Sequence, residues 1–67
     1  MEHEMKENRV RTIREKMGLT LSAVAIASDT EPGLLSLVER GKRCSPKVQQ
    51  RISAALGVPV KKLFPEG

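Results

Sequence analysis

Apolar residues return along this chain at intervals of three and four, the period of a helix face, and the rhythm breaks at Gly18, at Ser28 to Thr30, at Gly41 and at Gly57. Val10, Ile13 and Met17 predict a first helix over 9–17, with Asn8 as N-cap and Gly18 as its stop. Thr20 caps a second helix over 21–28, in which Val24, Ala25 and Ser28 share a face and the small Ala25 lets another helix cross closely. Glu31 and Pro32 open a third over 31–40, because proline is preorganised for a first turn. Leu35 and Val38 form its inward side, with Glu39 beside them. Ser45 followed by Pro46 starts a fourth helix over 46–56, with Val48, Ile52, Ala55 and Leu56 inward and Gly57 at its end. After Pro59 a short fifth helix, 60–64, brings Val60, Leu63 and Phe64 over the core. The expected fold is all-α: one compact five-helix domain over 8–67, preceded by a flexible polar tail over 1–7.

The second and third helices are separated by only Ser28, Asp29 and Thr30, and an aspartate tolerates the left-handed backbone of a tight turn better than most residues, though less well than glycine. That is the outline of a helix-turn-helix, a unit whose second helix enters the DNA major groove.

Composition narrows the possibilities. At 67 residues, with 39% hydrophobic positions and Phe64 as the sole aromatic, the chain can fill a small aliphatic core but has little material for a deep catalytic pocket. No apolar run is long enough for a membrane span, and the opening MEHEMKEN lacks the apolar stretch of a signal peptide, so a cytoplasmic location is expected. The net charge of +4 is unevenly spread. Residues 40–65 hold Arg40, Lys42, Arg43, Lys47, Arg51, Lys61 and Lys62 and no acid, whereas residues 1–39 hold five bases and seven acids. Such a block attracts polyanions through counterion release; the plainer reading is a solvated surface.

Little else in the chain suggests chemistry. His3 has no partner at metal-ligand spacing. Cys44 is alone and cannot form an internal disulfide; it is either an ordinary connector residue or a thiol activated by the neighbouring Lys42 and Arg43. Ser22, Ser28, Ser36, Ser45 and Ser53 lack an adjacent histidine base. No enzyme activity, cofactor or metal is expected.

Four segments, NRVRTIREKMGLT at 8–20, Ala25, LVERGKR at 37–43 and ALGVPVKKLF at 55–64, together resemble the Cro/phage-repressor, or Xre-like, helix-turn-helix family over about residues 8–64. The resemblance implies a lambda-repressor-like domain and a DNA-binding transcriptional regulator that commonly works as a homodimer. It also implies a structural ion pair between Arg14 and Glu39. The residues agree, since Arg14 lies on the apolar stripe of the first helix, where an unpaired charge would be costly.

Base-facing positions of the family match Pro32, Gly33, Leu34, Ser36 and Leu37. Phosphate contacts fall to Arg40, Lys42 and Arg43, with Lys47 and Arg9 as further candidates. Here the chain departs from the pattern. Leu21 stands where glutamine is common, and Asp29 where the turn usually has glycine. Between Glu31 and Val38 there is no Arg, Lys, Asn or Gln to make bidentate bonds to bases. Only Ser36 offers a side-chain hydrogen bond, Leu34 and Leu37 can touch thymine methyls, and Glu31 repels phosphate unless it accepts from a cytosine amino group. One reading is a dimer that grips phosphates and selects DNA by shape, methyl contacts and half-site spacing. A second makes Leu34 and Leu37, with Pro32 and Leu21 nearby, an apolar patch for a protein partner. A third folds one of these leucines into the core. Val58, Val60 and Phe64 are candidates for a dimer surface.

Overall fold

The computed structural model of the chain describes residues 8–42 and 44–65, so the expected tail over 1–7, His3, Arg43 and the last two residues lie outside the described residues. The fold is all-α. Five helices follow in order: α1 (Val10–Lys16), α2 (Leu21–Ala27), α3 (Pro32–Glu39), α4 (Pro46–Leu56) and α5 (Val60–Leu63). Each is a residue or two shorter than its sequence pattern, apart from α4.

Side-chain chemistry fixes several of the starts. Thr20 Oγ1 accepts from the Ala23 amide at 3.0 Å and Ser45 Oγ from the Val48 amide at 3.3 Å, which satisfies one orphan donor at the head of α2 and of α4. Proline occupies the first turn of both α3 and α4. At α1 the geometry differs from the sequence expectation. The N-cap residue is Arg9, which makes no side-chain capping bond, while Asn8 reaches over it to accept from the Val10 amide at 3.1 Å. Asn8 also donates from Nδ2 to the Val38 carbonyl at 2.7 Å, so the head of α1 is tied to the last turn of α3.

The core is a single cluster of Val10, Val24, Ala25, Leu35, Val38, Ile52, Leu56, Leu63 and Phe64, to which all five helices contribute. Helix α2 packs on α3 and α4, α1 on α3, and α5 on α4. The fully buried Ala25 presents only a methyl group within this packing. Two expectations are corrected. Met17 is half-exposed, because α1 stops at Lys16 and the chain reverses at Gly18 to bring Leu19 rather than Met17 against the core. Phe64 is buried and belongs to the core, so it offers no free dimer surface; Val58 and Val60 are half-buried against the same cluster.

Candidate nucleic-acid interface

The link between α2 and α3 is set by four hydrogen bonds and one unusual backbone angle. The Thr30 amide donates to the Ala25 carbonyl at 2.9 Å and the Asp29 amide to the Ile26 carbonyl at 3.1 Å. This is the Schellman closure of a helix, in which the first of the two donor residues along the chain takes a left-handed conformation. Asp29 is that residue, with φ of 55°, and it alone among the described residues other than glycine has a positive φ. The α1 and α3 ends close in the same way around Gly18 and Gly41. Ser28, the buried polar residue of the turn, donates from Oγ to the Val24 carbonyl at 2.7 Å, and Thr30 Oγ1 donates to the Ser28 carbonyl at 3.1 Å. The turn is thereby tight and internally satisfied.

Helix α3 turns Leu35 and Val38 into the core. Pro32, Gly33, Leu34 and Leu37 lie on the outside, with Ser36 half-buried at the border. Leu34 and Leu37 are 40% and 38% exposed, so neither folds inward. Leu21, by contrast, is half-buried against the core and forms no part of an exposed patch with them. Glu31 is the N-cap residue of α3 but makes no side-chain bond to its amides.

The inward side of α3 is locked by charge as well as by packing. Arg14 Nε donates to Glu39 Oε2 at 2.6 Å and its Nη2 to Oε1 at 3.1 Å, a two-pronged pair whose side chains are only 12% and 7% exposed. The third arm, Nη1, donates to the Leu19 carbonyl at 2.9 Å. The hydrogen bonds to Glu39 raise the Arg14 pKa further above its already high ordinary value, against the opposing cost of burial. A planar guanidinium is suited to this because its donors leave in fixed directions and can serve a carboxylate and a carbonyl together. The pair joins α1 to the end of α3, which fixes how the outward side of α3 is presented.

Cations gather at that same end. Arg40 is the C-cap of α3 and exposed, and the Lys42 amide donates to the Leu37 carbonyl at 3.0 Å, which ties the exposed Lys42 to the helix. Arg9 is exposed next to Asn8, whose side chain is bonded to Val38 only two residues before Arg40. Lys47 is exposed in the first turn of α4. Among the described residues no carboxylate lies within ion-pair distance of Arg40, Lys42 or Lys47.

The fold recurs in solved regulators. The chain is similar to the restriction-modification controller protein C.AhdI from Aeromonas hydrophila, with 28% identity and a TM-score of 0.79, over 84% of this chain and 86% of that one. It is also similar to ClgR, the clp gene regulator of C. glutamicum, with 40% identity and a TM-score of 0.71, over 76% of this chain and 68% of that one. The chain belongs to the helix-turn-helix regulator family. No family model and no curated protein sequence matches it.

Two features of this family member lie apart from α3. Ile26 is 81% exposed, because it sits on the side of α2 opposite Val24, Ala25 and Ser28. Its outward position is implied by the face assigned to those three residues. Burial pushes the Cys44 thiol pKa up, against a weaker opposing hydrogen bond with Gln49, which works against the thiolate activation weighed from its basic neighbours. Among the described residues no group of three or more His, Cys, Asp or Glu is placed to hold a metal ion, and no helix is long and apolar enough to cross a membrane.

Proposed function

We propose that this chain is a DNA-binding transcriptional regulator of the Cro/phage-repressor, Xre-like type, acting as a homodimer in the cytoplasm. Helix α3 enters the major groove with Pro32, Gly33, Leu34, Ser36 and Leu37 toward the bases, and Arg9, Arg40, Lys42, Arg43 and Lys47 hold the phosphate backbone. The observation that carries this reading is the exposed side of α3 ending in exposed cations, one of them tethered to the helix through Leu37. The two regulators of similar structure support it. A dimer follows from size: one small module buries too little DNA for tight specific binding, and two modules can read a two-fold site.

Titration against duplex DNA at several salt concentrations tests the reading. Affinity should fall steeply with salt, with a logarithmic slope of about −0.9 for each phosphate neutralised. Changing Lys42 and Arg43 together to alanine should weaken binding to all sequences alike and flatten that slope. Absence of binding at micromolar protein in about 50 mM salt would sink the proposal.

The exposure of Leu34 and Leu37 favours a second reading, in which α3 docks on protein. Sedimentation of the free protein with and without Leu34→Glu distinguishes them. Loss of self-association in the variant would assign that side of α3 to a protein contact.

A further inference from the structure

The outward side of α3 has three features that belong together. Leu34 and Leu37 are one helical turn apart on the same side and stay substantially exposed. Gly33 is also one turn before Leu37, and nothing lies within 4 Å of where a Cβ would sit on it. Its φ is not among the positive ones, so neither crowding nor backbone conformation asks for glycine there. Glycine is the poorest helix former after proline, and alanine would fit this exposed first turn better. A notch of this kind has a use when something must come close to the backbone.

Arg40 continues the same stripe one turn beyond Leu37, and Lys42 follows it, both exposed. The stripe therefore runs from a notch through two leucines to a pair of cations, which complements a polyanion carrying small apolar spots. Duplex DNA has one such spot in its major groove, the C5-methyl group of thymine. 5-Methylcytosine carries the same methyl at the same ring position.

Resting on the DNA-binding reading above, we propose that Leu34 and Leu37 recognise pyrimidine C5-methyl groups, and that Gly33 lets α3 approach the base edges closely enough to bury them. The ligand class is a duplex presenting thymine or 5-methylcytosine opposite these leucines. Cytosine methylation at such a position strengthens the site.

The test uses a duplex pool with a random core, enriched on the full chain at low salt and then resynthesised with deoxyuridine in place of thymidine. Each contacted methyl that is lost should cost about fourfold in affinity, the worth of one buried methyl carbon. At an enriched thymine, cytosine should bind more weakly and 5-methylcytosine should recover about the same fourfold. Leu37→Ala should lower the thymidine-to-deoxyuridine ratio by about fourfold, and Leu34→Ala with Leu37→Ala should bring it close to one. Gly33→Ala should melt at the same or a higher temperature yet bind DNA more weakly, so its defect cannot be put down to misfolding. Equal affinity for the thymidine and deoxyuridine pools overturns the methyl reading while leaving phosphate-held DNA binding intact. Unchanged DNA affinity in Gly33→Ala overturns the close-approach part. Failure to bind either pool overturns both the inference and the function on which it rests.

Discussion

At the scale of single residues, the pair of Arg14 and Glu39 has the largest energetic leverage. Both side chains are nearly buried, so removing the guanidinium leaves a carboxylate without its partner and the Leu19 carbonyl without a donor. Stranding a buried charge costs about 3 kcal/mol or more. Arg14→Ala should therefore lower the melting temperature by about 12 °C or more, on the scale of small domains. A loss of only two or three degrees in a thermal melt would show that solvent reaches Glu39. Arg14→Lys should recover little, because a single ammonium cannot match both prongs and the carbonyl. Asp29 offers the opposite case. It holds a left-handed angle at which a β-carbon is strained, so Asp29→Gly should raise stability by about 0.5–1 kcal/mol and Asp29→Ala should lower it. Chemical denaturation of the three proteins should rank them glycine, aspartate, alanine.

Among individual residues, legibility in the sequence depended on whether the cause was local. Asp29 could be read as a turn because its neighbours on both sides carry helical spacing. Arg14 stood out as a charge on an apolar stripe, though its carboxylate partner lies 25 residues away and came from resemblance rather than spacing. Met17 was misplaced because periodicity continues past the point where the helix stops. Burial of Cys44 is a tertiary effect, invisible in the Lys-Arg-Cys run that suggests activation.

At the scale of elements, the starts of α2 and α4 were legible because a hydroxyl before a helical run has a mechanical role: it accepts from an amide that the helix cannot serve. The start of α3 lacks this support, since Glu31 makes no capping bond. Glu31→Ser should therefore stabilise the domain by about 0.5–1 kcal/mol, and urea denaturation will measure it. No gain would mean that the exposed Glu31 already stabilises the helix through its charge at the positive end. The ends of α1 and α3 were legible from glycine for the converse reason. Only the left-handed residue of a Schellman closure has so strong a preference. The orientation of α3 was not legible from its own residues, because it depends on Asn8 and Arg14, which lie before α2 in the chain.

At the scale of the whole molecule, a domain of 67 residues has a total stability of only about 3–10 kcal/mol. Its core has no redundant members. Leu63, in a helix of four residues, is fully buried, and Leu63→Ala should cost about 2–5 kcal/mol, enough to leave much of the protein unfolded at room temperature. A far-ultraviolet circular dichroism spectrum that keeps full helicity and a sharp melt would contradict this. The candidate interface was legible in the sequence as a charge asymmetry and an absence of polar readers. What the sequence did not supply was their convergence, which comes from the bond that Asn8 makes to the end of α3 and from the closure that folds Lys42 back on Leu37.

The Arg9 amide donates to the Leu63 carbonyl at 2.8 Å, which brings the start of α1 against the end of α5. Arg9 precedes every helix, yet its proton should exchange with solvent more slowly than those of a free helix start, because releasing it means detaching α5. The bond fastens the first turn of the bundle to its last, so loosening either should loosen the other.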